Sequence, residues 1–98
     1  MTSESKRNAL SNEFKVAVAI FEITEKLKEK AWSTKLQVAL KDYMGGSTVL
    51  RMLTFLESWR IVKTQYGETE TGRPGKLYYL SNEDHDTIEM LYERYWKE

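Results

Sequence analysis

The stretch MGGSTVLRMLTFLESWRIVKTQYGETETGRPGKLYYLS, residues 44 to 81, decides how the chain is read. Gly45 and Gly46 interrupt what precedes them. STVLRMLTFLESW then repeats Val49, Met52, Leu53 and Leu56 at steps of three and four, the spacing of one helix face. RIVKTQY and GKLYYLS are rich in strand formers. The ETETGRP between them is rich in turn formers and too long for a two-residue loop. The expectation is a helix followed by a hairpin with an extended loop. The chain's one proline falls in that loop. Proline fixes its own φ and drives the preceding residue towards extended geometry, so Pro74 holds Arg73 out on a stiffened tip near Lys76.

Upstream, Ser11 or Asn12 can cap a helix, and EFKVAVAIFEITEKLKEK runs on without a breaker to about residue 30. Phe14, Val16, Ala17, Val18, Ala19, Ile20 and Phe21 occupy nearly every side of its first half, where a surface helix shows a single stripe. This predicts burial on two faces. Thr34 with Gln37 three residues later has the capping-box pattern, and Leu36, Val38, Ala39 and Leu40 carry a short helix to about Tyr43. A last helix is expected over residues 83 to 97, with Ile88, Leu91, Tyr92, Tyr95 and Trp96 on one stripe. Residues 1 to 11 are polar and expected to be frayed. There are no repeats, linkers or low-complexity segments.

At 98 residues the chain supports one domain, residues 1 to 98, with a real core but no deep substrate cavity. With 41% apolar and 31% charged residues, the composition is that of a folding globular protein. No apolar run reaches the roughly 20 residues needed to cross a bilayer, and the start MTSESKRN lacks the order of a signal peptide. An intracellular, cytoplasmic protein is expected. The absence of cysteine removes thiolate chemistry and cysteine-based zinc sites. The formal net charge is zero but unevenly spread. Residues 33 to 76 carry seven basic against four acidic side chains, and residues 82 to 98 carry two against six. Association with nucleic acid depends on local charge, so a basic face with an acidic element turned away is permitted.

The order helix, helix, glycine turn, helix, two-stranded hairpin, helix resembles the winged helix-turn-helix domain of DNA-binding transcriptional regulators. The resemblance is closest from Trp32 to Ser81. Ser47, Thr48 and Val49, then Leu53, Leu56 and Glu57, then Ile61 and Val62 stand where that family has its Ser-Thr-Val, its core leucines and its strand entry. It implies a mostly α, α+β fold: a three-helix core, a two-stranded wing and a C-terminal helix. It also implies a small regulator of the kind found in archaea and their viruses, located in the host cytoplasm if viral, that binds double-stranded DNA sequence-specifically. The third helix would enter the major groove, presenting Ser47, Thr48, Arg51 and Thr54. Hydroxyls at a helix start sit beside unpaired backbone amides, and Arg51 lies one turn further along the same face. Lys41 joins this set. On the wing, Arg73 would reach the minor groove or backbone, with Lys76 and Tyr66 on phosphates. The plainer reading makes Ser47 and Thr48 caps, Arg51 a solvated charge and the wing an ordinary hairpin tip, where Glu68 and Glu70 would repel phosphate.

Three features depart from the family pattern. Leu50, Thr54 and Phe55 stand where many relatives carry polar or basic groups, so direct base readout is expected to be sparse. Arg60 stands where a glycine commonly ends the helix in left-handed conformation. The neutral total charge implies modest affinity. A second class of function stays open, a winged helix used as a protein-interaction module through Leu50, Phe55 and the hairpin. For assembly, a homodimer is expected, built from Phe14, Val18 and Phe21 of the first long helix and Ile88, Leu91, Tyr92, Tyr95 and Trp96 of the last. No catalytic residues, metal or cofactor are expected. One histidine and no cysteine leave no nucleophile–base pair. NEDHD at 82 to 86 reads as carboxylates favouring a helix start rather than a metal site, with His85 simply exposed.

Overall fold

The computed structural model describes residues 3–69 and 71–97. Helix α1 (Ser3–Asn8) precedes α2 (Asn12–Phe21), which widens into a π-helical segment over Glu22–Lys26. A short strand β1 (Ala31–Trp32) leads into α3 (Ser33–Ala39), and α4 (Gly46–Ser58) follows. Strands β2 (Val62–Glu68) and β3 (Pro74–Leu80) form the hairpin. Helix α5 (His85–Leu91) continues as a π-helical segment over Tyr92–Trp96.

Helix α2 is the centre of the core. Ser11 caps it, its Oγ accepting from the Phe14 amide at 3.4 Å. Val16, Ala17, Val18 and Ile20 are wholly buried, and α3, α4, β3 and α5 all pack against the helix. Both faces predicted to be buried are therefore covered by the chain itself. Lys15 is also buried. Its Nζ donates to the Leu10 carbonyl at 2.6 Å, and burial lowers its pKa.

The ends of the chain correct two expectations. Within residues 1 to 11, expected to be frayed, α1 forms and Leu10 is buried. Arg7 lies over the Trp96 ring at 4.5 Å, its Nε donates to the Trp96 carbonyl at 2.9 Å, and a guanidinium NH donates to the Tyr43 hydroxyl at 3.2 Å. A polar segment is held by partners far away in sequence, which local polarity does not reveal. Of the eight residues assigned to a dimer interface, Val18, Phe21, Ile88, Tyr92 and Trp96 are buried within one chain. The Phe21 and Tyr92 rings meet at 5.1 Å and the Tyr43 and Trp96 rings at 5.3 Å. Only Phe14, Leu91 and Tyr95 keep part of their surface.

The α3–α4 unit starts earlier than the capping pattern predicts. Trp32 is the N-cap of α3 with no side-chain bond, so Thr34 and Gln37 form no capping box. Gln37 instead packs over Gly46, where an added Cβ would lie 2.6 Å from its Oε1. At the far end of α4, Arg60 does take the left-handed conformation, with φ 63°. The Arg60 amide donates to the Glu57 carbonyl and the Ile61 amide to that of Leu56, both at 3.0 Å. This is the paired closure that glycine usually makes at a helix end.

The sheet has three antiparallel strands in the order β1-β3-β2, one more than the two-stranded wing expected. Pairing runs from Val62↔Leu80 to Glu68↔Pro74, so the loop is shorter than ETETGRP suggests. Pro74 begins β3, beyond the two residues that pair with β1, where its missing N–H breaks no ladder.

Candidate nucleic-acid interface

Helix α4 buries Val49, Met52, Leu53 and Leu56 and leaves the opposite side open. Ser47, Arg51, Thr54 and Ser58 are exposed and follow at steps of four, three and four, a polar line along the open face. Thr48 is half-buried at the helix start. Apolar groups border the line. Leu50 is 44% exposed on one side, and Phe55 (42%) with Trp59 (56%) lies on the other, their rings stacked at 5.9 Å. Two hydroxyls of the line turn back onto the helix: Thr54 Oγ1 donates to the Leu50 carbonyl at 3.1 Å, and Ser58 Oγ to the Phe55 carbonyl at 2.7 Å.

Glu57 ties this helix to the wing. Its Oε2 accepts from Lys76 Nζ at 3.2 Å and its Oε1 from Thr64 Oγ1 at 3.4 Å. Burial opposes the Lys76 charge, but the Glu57 hydrogen bond and the neighbouring Tyr78, Glu57 and Tyr66 overcome it and raise the pKa. Lys76, expected on phosphate, is thus engaged in holding α4 and the wing together. Tyr66 pairs with Lys76 across the hairpin and is 75% exposed, on the same face of the sheet.

The tip presents Arg73. Its backbone carbonyl accepts from the Thr69 amide at 2.9 Å and from Thr69 Oγ1 at 3.0 Å, while Gly72, at φ +79°, makes the turn. The arginine side chain is exposed and, like that of Arg51, forms no ion pair among the described residues. Glu68 is exposed close by, and Glu70 lies outside the described residues. Lys41 is exposed in the turn between α3 and α4.

Trp32 lies against the opposite face of the wing. The cross-strand pair Gly67 and Gly75 leaves room for its ring, which an added Cβ at Gly75 would approach to 3.3 Å. Together with Lys30, Lys35 and Arg73 it lines an open cleft of about 880 Å³. Sequence reading missed this grouping. Its one signal is two strand glycines in register, which becomes visible only once the register is known. His85 is not simply exposed: Nε2 lies 3.1 Å from Glu25 Oε1, and the ring meets Phe21 at 5.5 Å. With Asp86 and Glu89 it brings ligand atoms within 4.8 Å of one another, closer than a run of neighbouring residues suggests.

Helices α2, α3 and α4, a hairpin joined to α4 and the terminal helix α5 make a winged helix. No protein-family model matches the chain, and no curated protein does. Solved structures do. The circadian clock associated protein Pex from Anabaena superposes with a TM-score of 0.66 at 22% identity, covering 89% of this chain and 77% of that one. Pex from Synechococcus gives 0.63 at 23% identity, covering 91% and 85%. A PadR family transcription regulator from Clostridium difficile gives 0.62 at 22% identity, covering 80% and 83%. None of the three comes from an archaeon or a virus, the source that the sequence resemblance implies. Among the described residues, no helix is long and apolar enough to cross a membrane.

Proposed function

We propose that this protein is a transcriptional regulator that binds double-stranded DNA, with α4 in the major groove and the wing on the adjacent minor groove or backbone. One observation carries the reading. Arg51 on the open face of α4 and Arg73 on the pinned wing tip are two exposed guanidiniums without ion partners among the described residues, on elements that Glu57 fastens together. Arginine grips guanine through two parallel hydrogen bonds and binds phosphate equally well. The PadR regulator, similar in fold, supports the same reading. The protein acts as a homodimer whose contact uses the surface that α5 and the start of α2 leave open: Phe14, Met90, Leu91 and Tyr95. The acidic terminal segment is then held away from phosphate. Titrating a fluorescent random-sequence duplex at rising salt tests the binding. Affinity should fall steeply, since each neutralised phosphate contributes a slope of about −0.9 in log K against log salt. No binding at low salt, or binding indifferent to salt, would overturn the reading in favour of a protein-interaction module.

A further inference from the structure

The open face of α4 is poorly equipped to donate hydrogen bonds. Thr54 and Ser58 spend their hydroxyl protons on the helix backbone, which leaves Arg51 as the one charged donor on the polar line. What the helix offers in quantity is apolar surface. Leu50 and Phe55 stand on either side of that line, each more than two-fifths exposed. The Phe55 ring is stacked on that of Trp59, which extends the apolar surface on its side of the line. On the floor of the major groove, the apolar feature of a base pair is the 5-methyl group of thymine. Leu50 and Phe55 are five residues apart, a rise of about 7.5 Å along the helix and about 140° around it, so their side chains are set to meet two separate base pairs.

We infer that Leu50 and Phe55 are specificity-determining residues that read thymine methyl groups on either side of the base gripped by Arg51. The inference rests on the DNA-binding reading above and adds a sequence requirement to it: each half-site carries two thymines at separate base pairs, flanking the Arg51 contact. It also gives a role to two of the three side chains that departed from the polar pattern of the recognition helix.

The test uses the full chain and duplex enriched from a random pool. Each thymine of the enriched half-site is replaced in turn by uracil, which keeps the pairing and removes only the methyl group. Affinity is expected to fall about fourfold at each of two positions, the amount lost with one buried methyl-sized group. Leu50→Ala should erase the uracil effect at one of them and Phe55→Ala at the other. Both side chains are exposed, so the variants should keep the wild-type melting temperature. Salt-sensitive binding that is unchanged by every uracil would overturn the inference while leaving the DNA-binding reading intact. So would an equal loss by Leu50→Ala on thymine and uracil duplexes. Absence of salt-sensitive duplex binding would remove both.

Discussion

Three side chains answer for themselves at the scale of single residues. Arg60 holds φ at 63°, a conformation that costs an L side chain roughly 1–2 kcal/mol. Arg60→Gly is expected to stabilise the fold by about 1 kcal/mol, seen as a higher urea midpoint at unchanged slope. A lower midpoint would mean that the arginine makes a contact worth more than its strain. Lys76 and Glu57 form a half-exposed pair, for which a double-mutant cycle with Lys76→Met and Glu57→Gln should give about 0.2–1 kcal/mol of coupling. The folded pKa of Lys76 lies above its ordinary 10.5, so this contribution is fully present below 10.5 and is lost as pH rises through the folded value. Coupling measured at neutral pH and again above that value checks the sign. Arg51 and Arg73 should fail in different ways. Arg51→Ala should cost about 1–3 kcal/mol and relax specificity at one position, whereas Arg73→Ala should weaken all sequences alike and reduce the salt slope by about one. Unchanged binding in both variants would remove this face from contact with DNA.

Among the elements, α5 and its π-helical extension behave as core rather than as an added dimerisation arm. Ile88, Tyr92 and Trp96 are buried against α2, α1 and Tyr43. A chain ended after Asn82 is therefore expected to lose cooperative thermal unfolding altogether, instead of surviving as a folded monomer. Trp96→Ala, a milder change, should cost about 3–5 kcal/mol and release α1, because Arg7 then loses the ring it covers. Amide exchange measures this directly, and full protection of residues 3 to 8 in the variant would show that α1 is held elsewhere. The wing is likewise more than a hairpin. Trp32 across Gly67 and Gly75, with β1 on one edge, gives its base a third strand and an aromatic brace.

At the scale of the whole molecule, the proposed dimer would use the apolar surface that the core leaves over. Met90 is 49% exposed, and Phe14, Leu91 and Tyr95 are half-buried, a smaller apolar area than the full stripe of the terminal helix. Light scattering on the intact chain at micromolar concentration is expected to give twice the mass of 11.6 kDa, and Met90→Glu with Leu91→Glu to give the single mass. A monomeric wild type would remove the dimer. A two-fold pair would set the two α4 helices against half-sites about 10 bp apart, or a multiple of that, so the enriched duplex should be a near-palindrome.

Read alone, the sequence did not reveal α1 or β1 and left the end of α4 at Arg60 open, but it was sufficient for the order of the remaining elements, the buried face of α4, the two faces of α2 and the arginine tip ahead of Pro74. Each of these depends on periodicity or turn chemistry among close neighbours in the chain. The tertiary structure alone decided that Lys76 belongs to Glu57, that Trp32 seats on paired glycines, that α1 docks through Arg7, and that most of the terminal aromatic stripe faces inward. Those outcomes depend on which distant surfaces meet. A stripe of Ile88, Tyr92 and Trp96 looks the same in sequence whether a second copy covers it or α2 of the same chain does, because burial is a property of the partner as much as of the residue.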